Sequence, residues 1–284
     1  VDAEVVDSQV DMPEQRTTSA ATLGADTTKG LSDLNHASQK GLQTIFDSSV
    51  GRSTVNHPIG GRYQITPTES SVQKLPVQNG VTTTASVMAQ GFNPYIAEWS
   101  PYHGAAYAVI EATARLVATG TNWSKARFSY QEYFQRMDKK AERFGQPVSA
   151  LLGSIEAQIQ LGLPSIGGKD SMSGTFEELT VPPTLVAFGV TTADSRKVLS
   201  PEFKAAGENV YYIPGQAISQ DIDFDLIKGN FAKFEAIQKA HHITAASAVK
   251  YGGVMESLAL ASFGNHIGAK VYLAELATSL TAQL

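Results

Sequence analysis

Cysteine is absent from the 284 residues, which excludes disulfide bonds, thiolate nucleophiles and cysteine-ligated zinc. An excess of basic charge is missing too, because 22 Lys and Arg residues stand against 27 Asp and Glu residues, giving a net charge of −5. This balance offers no electrostatic footprint for a nucleic acid or an anionic membrane surface. We therefore expect neither as a partner, and any anion-binding site must be local.

Long hydrophobic runs are also lacking. No apolar run approaches the roughly 20 residues needed to cross a bilayer, and the first residues, V-D-A-E-V-V-D, lack the basic-then-apolar order of a signal peptide. We expect a soluble, cytoplasmic protein. Because the chain begins with Val and stops at T-A-Q-L inside a running pattern, we also expect it to be a piece of a longer polypeptide.

Polar chemistry is concentrated in one stretch, G-L-P-S-I-G-G-K-D-S-M-S-G, between Gly162 and Gly174. Ser165 and Ile166 are predicted to be a short extended entry to a turn. Two adjacent glycines, then a cation, an anion and two hydroxyls, predict a glycine turn that presents these side chains to an anionic substrate. The alternative is a tight connection with a polar tip, since glycine-rich turns are common. The preceding helix is predicted to be amphipathic, with an apolar face made of Val148, Leu151, Leu152, Ile155, Ile159 and Leu161.

The remaining pattern alternates strands and helices, which indicates a mixed α/β architecture. Strands are predicted at residues 82–90, 125–129, 184–192, 209–213 and 269–276, and one short strand within 56–74. Helices are predicted at residues 102–119, 130–144, 224–239 and 252–263, with two short helical pieces from residue 31. We expect a linker over residues 1–30, one domain over 31–203 and a second, truncated α/β domain over 204–284.

Two features leave a structural and a functional interpretation open. Glu111 and Arg115 stand four residues apart on an otherwise apolar helix, the spacing of an intrahelical ion pair, although either could bind a ligand. His36 and His57 are isolated, with no second histidine at metal-binding spacing. Surface or capping roles suit these two histidines better than metal ligation.

Five segments taken together resemble one enzyme family. They are F-D-S-S-V-G, G-G-R-Y-Q-I-T-P-T, T-A-S-V-M-A-Q-G-F-N-P, E-W-S-P-Y-H-G-A-A-Y-A-V-I-E and P-S-I-G-G-K-D-S-M-S-G-T-F-E. The chain resembles the large, single-chain form of phosphoribosylformylglycinamidine synthase over roughly residues 31–284. That family has two halves, each similar to aminoimidazole ribonucleotide synthetase, followed by a glutaminase domain. The chain resembles the second half only, and we expect it to stop before the end of that half.

The resemblance implies an ATP-dependent ligase of purine biosynthesis that uses glutamine as the nitrogen donor. Formylglycinamide ribonucleotide would be phosphorylated on its amide oxygen, and ammonia would then displace the phosphate to give formylglycinamidine ribonucleotide. The family's catalytic histidine and main magnesium ligands lie in the first half. We therefore expect no catalytic residue in this chain, no activity from it alone, and ATP and Mg²⁺ as cofactors of the full-length enzyme. The alternative is a half that only scaffolds its catalytic partner.

The same resemblance implies that this half supplies one wall of the synthetase site. Matching the family's motif places six residues beside substrate and nucleotide: Gly168, Lys169, Asp170, Ser171 and, less directly, Tyr130 and Gln131. Ser171 is the candidate for a hydrogen bond to the substrate. Lys169 and the backbone amides would offset phosphate charge.

One departure from the family concerns the second half's own nucleotide and magnesium cleft. Glu111 matches a magnesium carboxylate there, but the other matched positions carry Asn79, Arg115, Ala248 and Lys250. Cationic side chains suit Mg²⁺ poorly. We expect a cleft that is empty or holds a simple anion, with Glu111 paired to Arg115 or Lys250.

The family's fold implies a mixed sheet with helices on its outer face, whose strands pair with those of the partner half to close a barrel. Without that half, an apolar strand such as residues 84–90 would be left unpaired and would seek another copy of the chain. A homodimer is therefore expected, in addition to the missing first half, the glutaminase domain and the small-molecule nucleotide substrate as partners.

Overall fold

The computed structural model describes residue 31, residues 37–45 and residues 53–272. These divide into two compact units. The first contains Ser86–Val117 and Thr121–Ala193, and the second contains the described residues up to Ala85, Ala118–Gly120 and those from Asp194 onwards. The linker predicted over residues 1–30 lies outside the described residues, and the boundary predicted near residues 200–206 stays a prediction.

The elements follow one another as short strands, then alternating helices and longer strands. Up to residue 91 they are α1 (Lys40–Ile45), β1 (Thr54–Asn56), β2 (Ile59–Gly60), β3 (Thr66–Pro67), β4 (Ser71–Lys74) and β5 (Thr84–Gly91). Next come α2 (Pro94–Trp99), α3 (Pro101–Ala118), a 3₁₀ turn (Trp123–Lys125), β6 (Arg127–Tyr133), α4 (Ala141–Leu161) and β7 (Ser165–Ser171). The last are β8 (Thr175–Phe176), β9 (Leu179–Thr180), β10 (Thr184–Asp194), α5 (Phe224–Ala240) and α6 (Gly253–Phe263).

The first unit is built on a mixed sheet with the strand order β5-β10-β6-β7. β10 runs antiparallel to β6, with Val186 opposite Gln131, whereas β7 runs parallel to β6 at the sheet's edge. A side chain at Gly91 of β5 would collide with the backbone of Ala108, so α3 packs directly on the sheet. The mixed sheet flanked by helices confirms the predicted fold class.

The first unit contains three of the predicted elements. The strand predicted at residues 82–90 is β5, the helix predicted at 102–119 is α3, and the strand predicted at 184–192 is β10. Before α3, Asn93 caps α2 by accepting hydrogen bonds from the backbone amides of Tyr95 and Ile96 at 3.0 and 3.3 Å. Among the described residues, no helix combines the length and hydropathy needed to cross a bilayer.

The extended entry predicted at Ser165 and Ile166 is confirmed, but the glycine turn predicted after it is wrong, because β7 continues to Ser171. Gly162 ends α4 in a left-handed conformation with φ of +69°, and Ser165 already pairs with Phe128 of β6. The sequence S-I-G-G-K-D-S is poor in residues that favour strands, so it carries no local strand signal. Backbone pairing with β6 imposes the extended conformation instead.

The predicted strand at residues 125–129 and the helix at 130–144 are also wrong in extent. β6 continues to Tyr133, and α4 begins only at Ala141. In β6 the buried positions alternate at Phe128, Tyr130 and Glu132, the period of a strand. The third of these positions is the acidic residue Glu132, which interrupts the apolar–polar alternation in the sequence. The strand was therefore predicted to end too early.

Helix α4 is present, but its predicted apolar face is not its packed face. Val148, Leu151, Leu152, Ile155 and Ile159 are 38–73% exposed, although Leu161 is buried. The buried side carries mainly small residues, among them Ala150, Gly153, Ser154 and Ala157. A side chain at Gly153 would collide with the backbone of Tyr102 in α3. Close backbone approach, rather than burial of large side chains, therefore fixes the orientation of α4.

The second unit joins short strands to two helices. β1 pairs antiparallel with β4, and β2 with β3, where a single short strand was predicted. Thr66 in β3 donates to the carbonyl of Leu260 in α6 at 2.5 Å and accepts from the amide of Gly264 at 2.9 Å. These bonds hold the β2–β3 pair against α6.

Helices α5 and α6 confirm the predictions for residues 224–239 and 252–263. Residues 209–213 form no strand, and neither do residues 269–272, the described part of the last predicted strand. Of the helical pieces predicted from residue 31, α1 is described, whereas the isolated His36 lies outside the described residues. His57 is exposed.

Candidate functional site

The predicted site residues lie on two neighbouring parallel strands. The register between β6 and β7 pairs Tyr130 with Gly168, Gln131 with Lys169, Glu132 with Asp170, and Tyr133 with Ser171. Tyr130 and Gln131, which the sequence placed at the end of a strand, sit in the middle of β6 and lie beside the glycine-rich stretch. The six predicted residues therefore form one continuous patch of sheet.

The sheet divides this patch between its two faces. Successive side chains of a strand point to opposite faces, and paired residues of neighbouring strands share a face. Gln131, Lys169 and Ser171 consequently lie on one face, which we call the open face. Tyr130 and Asp170 lie on the other, the covered face, where the alternate side chains of β6 are buried.

The open face collects donor groups at the edge of the sheet. The side-chain amide of Gln131 donates to the carbonyl of Lys169 at 3.2 Å, which ties β7 to β6. The Lys169 ammonium lies 5.5 Å from the ring centroid of Tyr133, and the hydroxyls of Ser171 and Ser173 are 3.0 Å apart. Lys169 is exposed. A cation beside two hydroxyls can bind the oxygens of an anionic group such as a phosphate.

Gly168 has a packing role that the sequence did not reveal. A Cβ at this position would lie 2.9 Å from the carbonyl oxygen of Tyr130 and 3.1 Å from its Cβ. A larger residue would therefore push β7 away from β6. The absence of a side chain lets the edge strand β7 pair closely with β6. This packing role does not depend on a ligand.

The covered face holds a carboxylate that the sequence analysis missed. Glu132 is only 2% exposed, and its Oε2 atom has no hydrogen-bond partner among the described residues. Burial raises the pKa of this carboxyl to about 7, and the neighbouring Asp170 carboxyl adds to the shift through charge repulsion and a hydrogen bond. Near neutral pH the Glu132 carboxyl can therefore retain its proton.

Tyr130 lies on the same face, two residues before Glu132. It is 6% exposed, and its hydroxyl also lacks a partner in the described part of the chain. Burial raises the pKa of this phenol, and the charge of Glu132 raises it further. The alternation of F-S-Y-Q-E-Y was the signal that could have identified Glu132 as a buried titratable group.

Glu111 lies beside a cationic side chain. Its Oε1 lies 3.6 Å from the guanidinium of Arg115, which also donates to the carbonyl of Gln90 at 2.9 Å. This is the predicted ion pair. Lys250, the other predicted partner, instead bonds Glu69 at 2.7 Å. The described residues contain no group of three or more His, Asp or Glu side chains arranged to hold a metal ion. A guanidinium beside Glu111 does not fit the Mg²⁺ that the family would place there.

Comparison with known proteins gives one sequence relative and several structures. No family model matches the chain. The chain is 23% identical over 266 residues to the phosphoribosylformylglycinamidine synthase subunit PurL of Thermoplasma volcanium, an alignment that covers 88% of this chain and 34% of that protein. The chain thus spans about a third of the length of the curated relative it matches.

Two solved structures of PurL from Thermotoga maritima superpose on most of the chain. The complex with AMPPCP gives a TM-score of 0.55 at 14% identity, covering 90% of this chain and 38% of that one. The complex with FGAR gives 0.52 at 15% identity, covering 75% and 31%. The chain has the fold of PurL. Its resemblance to this kind of synthase, inferred from five short segments, is therefore confirmed, and its fold is aminoimidazole ribonucleotide synthetase-like.

Proposed function

We propose that the chain supplies one wall of the synthetase site in an enzyme that converts formylglycinamide ribonucleotide to formylglycinamidine ribonucleotide, with ATP and glutamine. The observation that carries this proposal is the grouping of Lys169, Ser171 and Gln131 on the open face of β6 and β7. The similarity to PurL supports it, because the Thermotoga maritima protein has been solved with FGAR and with an ATP analogue.

In the proposed reaction the amide oxygen of the substrate is phosphorylated and ammonia displaces the phosphate. Lys169 would offset negative charge on a phosphate, and the Ser171 hydroxyl would donate to the substrate. The bond from Gln131 to the Lys169 carbonyl fixes the strand that carries both groups. Gly168 and Asp170 would contribute their backbone amides at the edge of the sheet. Tyr130 would support β6 and β7 from the covered face.

The catalytic histidine, the magnesium ligands and the glutaminase are proposed to lie in other parts of the enzyme, and the chain alone is proposed to be inactive. The relative from Thermoplasma volcanium is named as a subunit, which is consistent with an activity that needs further protein parts. ATP and Mg²⁺ are then cofactors of the assembled enzyme, and the assembled enzyme is proposed to be cytoplasmic.

The test is an assay of substrate-dependent ATP hydrolysis by the chain joined to its missing first half. We expect Lys169→Met and Ser171→Ala each to lower kcat/KM by about tenfold or more, the loss of one charged or neutral hydrogen bond. Lys139→Ala is the matched control, because Lys139 is an exposed cation in the loop after β6. Unchanged turnover in both site variants would favour the alternative, a half that only scaffolds its partner.

A further inference from the structure

Glu132 and Asp170 form a carboxyl pair on the covered face, and the proposed function gives these two side-chain carboxyls no role. They are register partners on parallel strands, so their side chains project side by side. Glu132 is almost completely buried with one oxygen unpartnered among the described residues, whereas Asp170 is exposed at the edge of the sheet. One side of the pair is thus enclosed and the other open to solvent.

A second unpartnered oxygen lies on the same strand face. The hydroxyl of Tyr130, two residues before Glu132 on β6, is buried and unpartnered within the described residues. Leaving a buried polar atom without a partner is unfavourable, because the atom loses its hydrogen bonds to water. Two such atoms on adjacent positions of one strand face therefore indicate that something else satisfies them.

We propose that Glu132 and Asp170 bind one divalent cation of the Mg²⁺ or Mn²⁺ type, with the hydroxyl of Tyr130 on the same strand face. Hard divalent cations prefer carboxylate and other oxygen ligands and retain several waters, which the exposed Asp170 side allows. Such an ion would neutralise two carboxylates that otherwise repel each other. It would also join β6 to β7 at the edge that carries Lys169 and Ser171.

Two cationic side chains of this unit, Lys169 and Arg143, make their contacts elsewhere. Lys169 follows Gly168 on β7 but lies on the open face, over the ring of Tyr133. The buried side of α4 carries only uncharged residues. Arg143, near the start of α4, bonds Asp138 at 3.2 Å and the carbonyl of Arg136. A bound ion would supply the positive charge that these side chains do not.

Titration of the purified chain with Mn²⁺ at pH 8, followed by electron paramagnetic resonance of the free ion, tests this site without substrate. We expect one bound Mn²⁺ that Mg²⁺ displaces. Glu132→Gln and Asp170→Asn should each weaken binding by about tenfold or more, by the removal of a charged ligand, and Tyr130→Phe should weaken it less. Glu178→Gln, which changes an exposed carboxylate between β8 and β9, should bind as the parent does.

Absence of Mn²⁺ binding at millimolar concentration, or equal binding by Glu132→Gln, would overturn the proposal and leave the pair holding only a proton. Far-ultraviolet circular dichroism of each variant identifies any loss of fold. Where Glu132→Gln unfolds, Asp170→Asn alone decides, because Asp170 is exposed. The titration contains no nucleotide or ribonucleotide. Failure of Mn²⁺ binding is therefore distinguishable from failure of the proposed function.

Discussion

Glu132 of β6 and Asp170 of β7 lie opposite each other across parallel strands, with one carboxyl buried and the other exposed. The arrangement places two acids of very different solvation in contact. Since burial penalises the charged form, the buried carboxyl holds its proton to a much higher pH than a free glutamate. Several properties of the chain should depend on this pair.

The stability of the chain should fall as the pH rises from about 4.5 to about 7. The pKa of Glu132 rises from 4.5 in the unfolded chain to about 7 in the folded one, so in this window the folded state binds a proton that the unfolded state has released. The loss amounts to at most about 3 kcal/mol. Urea unfolding at pH 5 and pH 8, with a chelator present, measures it.

Glu132→Gln serves as the control for this pH effect, because glutamine cannot ionise but can still donate to Asp170. Its stability should change less between the two pH values. An equally steep fall in the variant would assign the effect to other groups.

Gly168→Ala should destabilise the chain by about 1–3 kcal/mol. The new methyl group would lie 2.9 Å from the carbonyl oxygen of Tyr130, so β7 must move away from β6. Gly229→Ala is a useful contrast, because Gly229 lies inside α5 with no atom near its absent side chain, and alanine there should stabilise by about 0.5–1 kcal/mol. Denaturant unfolding of both variants makes the comparison, and equal effects would contradict the close pairing of the strands.

The two sides of α4 should respond in opposite ways to substitution. Ala157→Leu adds volume on the packed side, where Ala157 is fully buried, and should cost about 1–3 kcal/mol. Ile159→Gln replaces a side chain that is 73% exposed and should change stability by no more than about 0.5 kcal/mol. Thermal unfolding distinguishes the two, and the reverse order would restore the amphipathic face that the sequence predicted.

The homodimer expected for the isolated chain should form through the open face of the sheet. The prediction that residues 84–90 form an unpaired strand is wrong, because β5 pairs with β10. The dimer therefore cannot form by pairing of this strand with a second copy. Met88 and Val190 are 43% and 40% exposed on these two strands. Light scattering should show a dimer that Met88→Lys weakens, whereas Val81→Lys, at a residue 94% exposed outside the strands, should not. A monomer at high concentration would contradict this prediction.

Local patterns were sufficient where a segment has a clear composition or periodicity. Helix α3 was predicted from its apolar face, β5 from residues that favour strands, and β10 from a near-continuous apolar run. The same holds for the resemblance to the synthase, which rests on residue identities in five segments. The ion pair of Glu111 and Arg115 follows from helical spacing alone.

The site required the tertiary structure. Whether S-I-G-G-K-D-S is a turn or a strand depends on β6, a partner more than thirty residues earlier, because backbone pairing outweighs weak local propensity. The same pairing decides which face each side chain occupies, and so separates Lys169 and Ser171 from Asp170. By itself the sequence determined the fold class, the family resemblance and most of the polar groups near the site. Only the packed sheet buried Glu132, set it against Asp170 and raised its pKa, because burial and proximity are properties of neighbours distant along the chain.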